Sequence, residues 1–158
     1  MNALSGTFAA VFATLYVAHS VGDHWVQTSR QSADKGRPGR VGRLANSRHV
    51  VGLAVTKAVL LAPVALVLGL HLSWWGLASG FTADAVSHWW ADRRSTLVAL
   101  ARVTGKAEFY SLGTPAHPAA PATAAGGYAP TLGTGAYALD QSWHHLWLLI
   151  AALIITAA

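Results

Sequence analysis

Cysteine is absent from this chain of 158 residues, and charged residues are scarce. Without cysteine the chain forms neither a disulfide framework nor a thiolate zinc site, so any transition-metal site rests on imidazole and carboxylate alone. Charged residues make up 11% of the chain and hydrophobic residues 53%, with a mean hydropathy of +0.39. Because soluble domains carry about a quarter charged residues, this composition indicates an integral membrane protein, and its length indicates a single domain.

The N-terminal segment lacks the basic start and the small-residue cleavage site of a secretory signal. Its apolar run continues as far as His19. We therefore interpret this segment as a retained transmembrane helix.

Four apolar segments each approach the roughly 20 residues that a bilayer core requires. We predict an all-α fold, an integral membrane bundle of four transmembrane helices in one domain, residues 1–158. The predicted helices span about 4–28, 49–70, 72–102 and 137–158, the third continuing beyond the membrane as a helical tail. A stretch at about 113–135, rich in Gly, Ala, Pro and Thr, is predicted to be a flexible linker.

Ten of the eleven Lys and Arg residues fall in two regions, one between the first two helices and one after the third. With four spans both regions lie on the same side, which the positive-inside rule makes cytoplasmic. We therefore predict a multi-pass protein of the inner (cytoplasmic) membrane with both termini outside. The net charge of +5 does not indicate a nucleic-acid partner, because aromatic interleaving and a recognisable DNA-binding motif are both lacking.

Histidine and aspartate recur four residues apart in three of the apolar segments, and a lone histidine opens the second segment. Positions four apart share a helix face, so each pair aims two polar groups at one point. From the helical rise of about 1.5 Å per residue, all four helices place these groups in the cytoplasmic half of the membrane. The candidate metal ligands are His19, Asp23, His49, His88, Asp92, Asp140 and His144.

Ionisable groups inside membrane segments are costly and usually mark a functional site. Imidazole and carboxylate are ligands for zinc, manganese and iron, so the pattern predicts a divalent metal site. Two ions, or one ion with carboxylates that orient its histidine ligands, would both fit. The structural alternative for each pair is an interhelical hydrogen bond.

Other polar residues surround this set. Asp84 extends the polar stripe of the third helix and lies at the depth of Lys57, its predicted interior partner. The residues predicted to bind an anionic substrate are Gln27, Lys35, Arg93 and Arg94. The histidines predicted to lie outside the site, at interfaces or in packing, are His24, His71, His117 and His145.

A resemblance to a known family rests on the runs at 19–27 and 88–93, on Lys35 and His49, and on the segment 140–144. The chain resembles the small bacterial and phage membrane proteins grouped as domain of unknown function 3307, over nearly its whole length apart from the linker. It is more loosely similar to membrane-bound metal-dependent hydrolases. The resemblance implies a helical membrane protein and metal chemistry, and implies no particular activity.

Two functions remain open on the sequence alone. The first is a metal-dependent hydrolase acting on a lipid or an amphipathic phosphate, with Asp23 or Asp84 as the general base. The second is a non-enzymatic membrane protein, either a metal or proton-coupled carrier or a scaffold, in which the cluster is structural. Four helices are few for a monomeric carrier, although an oligomer would supply more.

Overall fold

A computed structural model describes residues 3–113 and 133–158, and every regular element in these ranges is helical. The helices are α1 (Ala3–Val21), α2 (Ser29–Asp34), α3 (Gly39–Leu68), α4 (Trp74–Asp92), α5 (Ser95–Val103), α6 (Ala107–Ser111) and α7 (Gly135–Ala157). A short π-helical turn, Gly22–Val26, continues α1. The predicted all-α class is confirmed for the described residues. Most of the predicted linker, with His117, lies outside them.

Three helical stretches are long and apolar enough to cross a membrane: Leu4–Val26, Gly39–Leu68 and Gly135–Ala157. Helix α4 has 19 residues, which gives it a length of about 28 Å. It carries Asp84, His88 and Asp92 and is not among these candidate spans. The structure thus shows three candidate spans, and the fourth span stays a prediction.

The second long helix begins at Gly39 and not near the predicted start at His49. Arg40, Arg43 and Arg48 therefore lie on the first turns of α3, not in a loop. Arginine favours helix about as well as leucine does, whereas hydropathy detected only the apolar part of α3. The short α2 precedes it, begun by a reciprocal capping box between Thr28 and Gln31.

The predicted helical tail from the third helix to Arg102 is interrupted. Helix α4 ends at Asp92, and the chain turns at Arg93 and Arg94 before α5 begins at Ser95. Arg94 has φ 58° and ψ −48°, and the Ser95 amide donates to the Arg93 carbonyl at 2.6 Å. This is a γ-turn of the strained, positive-φ kind. Nothing in the local sequence signals it, because arginine rarely adopts positive φ.

The apolar core fills the half of the bundle away from the basic residues. Its buried members lie on α1, α3 and α7, and the largest of them are Leu15, Leu61, Leu148 and Ile155. Phe8, Phe12 and Phe81 pack around it. All the polar clusters described below therefore lie toward the basic end of the bundle.

Two glycines one turn apart, Gly76 and Gly80, let α4 approach α7 closely. A Cβ at Gly80 would lie 2.5 Å from Ile155 Cγ1 and 2.9 Å from the Ala151 carbonyl oxygen. Small residues four apart are a common device for close helix packing in membranes. The pairing fixes α4, which carries His88 and Asp92, against the apolar α7.

We expect Gly80→Ala to destabilise the protein because the new methyl group separates α4 from α7. Gly52→Ala is the matched control, since a Cβ at Gly52 of α3 meets nothing within 4 Å and alanine is favoured over glycine in a helix by about 1 kcal/mol. Thermal unfolding in detergent should show a lower midpoint for Gly80→Ala and an equal or higher one for Gly52→Ala. Equal midpoints for both variants would contradict this packing.

Candidate metal centre

The end of α1 supplies the first two polar groups of the site. The chain widens into a π-helical turn after Val21, closed by a 2.9 Å hydrogen bond from the Gln27 amide to the Gly22 carbonyl. Such turns often occur at functional sites. Gly22 lies against Leu53 of α3, so the two helices touch here. The turn leaves Asp23 Oδ2 at 3.4 Å from His19 Nε2.

Helix α3 contributes His49, which is almost fully buried at 2% exposure. Its Nε2 atom lies 3.1 Å from Asp23 Oδ1. One helical turn earlier, buried Asn46 donates a 2.8 Å hydrogen bond to the Trp89 carbonyl. Asn46 therefore ties α3 to α4 beside the site.

Helix α4 contributes His88 and Asp92, which are buried at 1% and 2% exposure. His88 Nε2 lies 3.2 Å from Asp92 Oδ2 and 3.1 Å from His49 Nε2. His49 Nε2 lies 3.4 Å from Asp92 Oδ2. Two imidazoles and one carboxylate from α3 and α4 thus converge on one point, which Asp23 approaches from the π-helical turn.

We call Asp23, His49, His88 and Asp92 the four-ligand set. Five separations among Asp23 Oδ1, His49 Nε2, His88 Nε2 and Asp92 Oδ2 are 3.1, 3.1, 3.2, 3.4 and 3.9 Å. Ligands at about 2.0–2.1 Å from a tetrahedral ion lie about 3.3–3.4 Å from one another. Four of the five separations lie near this spacing, and three members of the set, Asp23, His49 and His88, form a group close enough to hold one ion.

The second oxygen of each carboxylate faces away from this point and has a partner of its own. Asp92 Oδ1 lies 2.8 Å from Lys35 Nζ, and Asp23 Oδ2 faces His19. The oxygens that face inward, Asp23 Oδ1 and Asp92 Oδ2, are buried without a well-formed hydrogen bond. Outer partners that orient ligating groups in this way are usual around protein-bound metals.

Helix α7 supplies the last predicted pair. The His144 ring stacks on His88 with centroids 3.9 Å apart, and its Nε2 lies 3.5 Å from Asp140 Oδ1 and 4.0 Å from Asp92 Oδ1. His88, Asp92 and His144 form a second group close enough to hold an ion. The structure thus brings together all seven residues predicted as ligands.

A cavity of about 460 Å³ opens beside the four-ligand set toward the basic end of the bundle. Asp23 and Asp92 form part of its wall, so the cavity reaches the set directly. Three of the residues predicted to bind substrate, Gln27, Lys35 and Arg94, also line it. Arg94 in addition donates to the Ser32 carbonyl at 3.0 Å, which holds its guanidinium in place.

Arg93 does not fit its predicted substrate-binding role. Its guanidinium donates to the Lys35 and Arg37 carbonyls at 2.7 and 2.6 Å, and it is not among the residues that line the cavity. It instead anchors the turn that carries Lys35. Because of the γ-turn at Arg94, the two consecutive arginines have different surroundings: Arg93 contacts the turn that carries Lys35, and Arg94 lines the cavity.

Asp84 does not fit the predicted role of general base. Its carboxylate forms a buried ion pair with the Lys57 ammonium, and it does not line the cavity. The predicted pairing of Lys57 with Asp84 is confirmed. Both side chains are almost fully buried, so this pair forms a second polar cluster deeper in the bundle.

Several residues at the cavity had no signal in the sequence. Tyr110 of α6 and Tyr137 and Gln141 of α7 line it, and His24 lies at its exposed rim. Burial raises the pKa of Tyr110, and nearby Asp140 raises it further, so the phenol keeps its proton at neutral pH and can donate a hydrogen bond. No periodic or charge pattern marks α6, which is why Tyr110 was missed.

Two histidines were predicted to lie outside the site, but His24 lines its cavity. His24 donates from Nδ1 to the Ser20 carbonyl at 2.8 Å and lies at the rim. His145 packs on the Tyr16 ring with centroids 4.6 Å apart, which agrees with its predicted packing role.

Comparison with known proteins found no matching family model, no matching curated protein and no matching solved structure.

Proposed function

We propose that this protein is an integral membrane metalloenzyme that binds one divalent cation, zinc, manganese or iron, and hydrolyses a phosphate ester. The observation that carries the proposal is the set of near-tetrahedral separations within Asp23, His49, His88 and Asp92. Imidazole and carboxylate ligands suit all three metals.

Hydrogen bonding alone accounts poorly for this arrangement. A neutral imidazole has one N–H, so His49 Nε2 can donate to only one of the atoms that surround it. The buried inward oxygens of Asp23 and Asp92 still need a partner. One cation satisfies all four inward atoms together, and it balances the two carboxylate charges.

A single ion accounts for the two overlapping groups. Both groups include His88, and His88 Nε2 is already 3.1 Å from His49 and 3.2 Å from Asp92. One ring nitrogen binds one ion, so we assign His144 to the surroundings of the site and not to a second ion. His144 then holds Asp140 beside the cavity.

The cavity residues fit an anionic substrate. A bound divalent ion supplies a Lewis acid and an activated water for hydrolysis. Lys35 and Arg94 present positive charge to a phosphate group, and the neutral Tyr110 phenol can donate to one of its oxygens. Asp140, which lines the cavity and is outside the four-ligand set, replaces Asp84 as the carboxylate placed to accept a proton.

The membrane placement belongs to the same proposal. Helix α4 packs closely on α7 through Gly76 and Gly80 and has nearly the length of the bilayer core. We therefore treat α4 as a fourth span. The arginines that flank the site favour a cytoplasmic position for its basic end at the inner membrane, with both termini outside.

The apolar core favours an enzyme over a carrier. A carrier needs polar groups along the whole path through the membrane. Beyond Lys57 and Asp84 the bundle interior is filled by apolar side chains such as Leu15, Leu148 and Ile155. The polar groups are thus confined to one half of the bundle, where they reach a single cavity.

Hydrolysis assays with Arg94→Met test the proposal, with Arg93→Met as the matched control. The chelated protein, resupplied with zinc, manganese or iron(II), should release inorganic phosphate from p-nitrophenyl phosphate or dodecyl phosphate. Loss of a charge-assisted hydrogen bond worth about 1.5–3 kcal/mol should raise KM of Arg94→Met about 10–100-fold.

Arg93→Met should lower the thermal midpoint, because the Lys35 turn loses its anchor, and should raise KM less than Arg94→Met does. The hydrolase proposal is wrong if neither phosphate is hydrolysed with any of the three metals although the metal is bound.

A further inference from the structure

An apolar groove lies between α5 and α7, next to the cavity. Its volume is about 150 Å³. Its apolar walls are Leu97, Leu100, Ala101, Leu139, Trp143 and Leu146. Thr104 and Lys106 mark its polar end, after α5. No step of the hydrolysis proposed above uses this groove.

Leu97 forms part of the wall of both the cavity and the groove. It is buried, with 5% exposure. On one side of it lie Lys35 and Arg94, and on the other side lie the leucines of the groove. A cationic compartment and an apolar compartment thus meet at one side chain, which is the pattern that an amphiphile requires.

The groove faces the lipid in a membrane. Leu139 and Leu146 lie on one face of α7, which runs from the basic end into the bilayer, and Leu146 is 49% exposed. Helix α5 buries Leu97 and Ala101, while Val103 at its end is 86% exposed. A short helix with an apolar face at the basic end has the character of an interfacial helix.

We infer that this groove binds the hydrocarbon chain of the substrate, whose phosphate occupies the cavity at Lys35 and Arg94. The inference rests on the proposed hydrolase function and specifies its substrate class, a phosphate monoester of a long-chain alcohol or lipid. Such a substrate reaches the metal centre sideways from the bilayer, passing between α5 and α7. The chain lies across Leu97, with its first methylene groups in the groove.

A second and larger apolar groove lacks the neighbouring positive charges that a phosphate group requires. It has a volume of about 770 Å³ and lies between α3 and α4, with Leu61, Leu70 and Phe81 among its lining residues. It is at the end of the bundle away from Lys35 and Arg94, and no cationic residue lines it. A chain bound there would not bring its phosphate to the metal centre.

Leu146→Trp tests the inference because a larger ring fills the groove without touching the cavity or the ligands. Leu153→Trp is the matched control, since Leu153 is also on α7, is 51% exposed and does not line the groove. Both variants and the unchanged protein are placed in nanodiscs of one zwitterionic lipid with saturating zinc. Release of inorganic phosphate from ethyl phosphate and from dodecyl phosphate then gives kcat/KM for each.

Each buried methylene group contributes roughly a fourfold preference. The loss of two or three of them in Leu146→Trp should therefore lower kcat/KM for dodecyl phosphate about 10–60-fold. The value for ethyl phosphate, and both values for Leu153→Trp, should stay within about twofold of the unchanged protein. Partition of the long chain into the nanodisc is common to all three proteins and cancels.

The possible failures are distinguishable. If Leu146→Trp lowers kcat/KM for neither phosphate, or lowers both equally, the chain site is wrong and the hydrolase proposal stands. If zinc, manganese and iron(II) each bind but none supports hydrolysis of either phosphate by the unchanged protein, the hydrolase proposal and the chain site fail together.

Discussion

His88→Ala should lose the bound metal, while His71→Ala should keep it. The His88 ring nitrogen lies 3.1–3.2 Å from two other members of the four-ligand set, whereas His71 is exposed in the turn between α3 and α4. Loss of an outer partner alone weakens metal binding about 10–100-fold, so loss of a ligating ring should weaken it by more than about 100-fold. Elemental analysis after purification without chelators, and zinc titration of the stripped protein, measure the effect.

Variants of His49 and His144 distinguish binding at the four-ligand set from binding at the overlapping group of His88, Asp92 and His144. His49→Ala should bind zinc as poorly as His88→Ala does, because both rings belong to the set. His144→Ala should weaken binding only about 10–100-fold, as loss of an outer partner does, and Asp140→Ala should weaken it by no more than that. If His144→Ala loses the metal and His49→Ala retains it, the ion belongs to His88, Asp92 and His144.

The unchanged protein should itself contain metal. It should carry about one ion per chain when purified without chelators and supplied with zinc, since the geometry suits one tetrahedral ion. A content well below one ion per chain in the folded protein would contradict the proposal, whatever the variants show.

Breaking the Lys57–Asp84 pair should produce the largest loss of stability. Lys57 is 1% exposed and Asp84 is 6% exposed, so removal of one partner leaves the other charge buried and alone. Such a loss costs about 3–5 kcal/mol in a protein interior. Lys57→Met and Asp84→Asn should each lower the free energy of unfolding in detergent by about this amount.

The double variant Lys57→Met/Asp84→Leu is the control. Replacing a buried ion pair with apolar side chains is often neutral or stabilising, so the double variant should regain most of the stability lost in either single variant. It should also bind zinc, because Asp84 is outside the four-ligand set. Loss of zinc binding in a stable double variant would show that Asp84 serves the metal centre after all.

The grouping of the candidate ligands was accessible to sequence reasoning because helical periodicity fixes which side chains share a face. His88 with Asp92 and Asp140 with His144 needed only the four-residue spacing, and the positions of the arginines supplied a common depth. The Lys57–Asp84 pair followed from depth as well. These features depend on the rise and turn of single helices, which the sequence pattern determines.

The parts that were missed depend on the non-helical turns. Lys35 contacts Asp92 across 57 positions from the non-helical segment between α2 and α3. The different contacts of Arg93 and Arg94 depend on one strained γ-turn. The roles of the individual candidate ligands depend on distances that must be correct to within less than one ångström. A spacing pattern in the sequence does not determine distances that closely.

With α4 as the proposed fourth span, the Lys57–Asp84 pair also bears on how the chain enters a membrane. A lysine or an aspartate at the centre of a single inserting helix costs about 2.5–3.5 kcal/mol. Helices α3 and α4, joined by the short turn at 69–73, carry one of each at matching depth. Inserted together, they mask both charges from the lipid, so the two helices should leave the translocation machinery as a preformed hairpin and not one after the other.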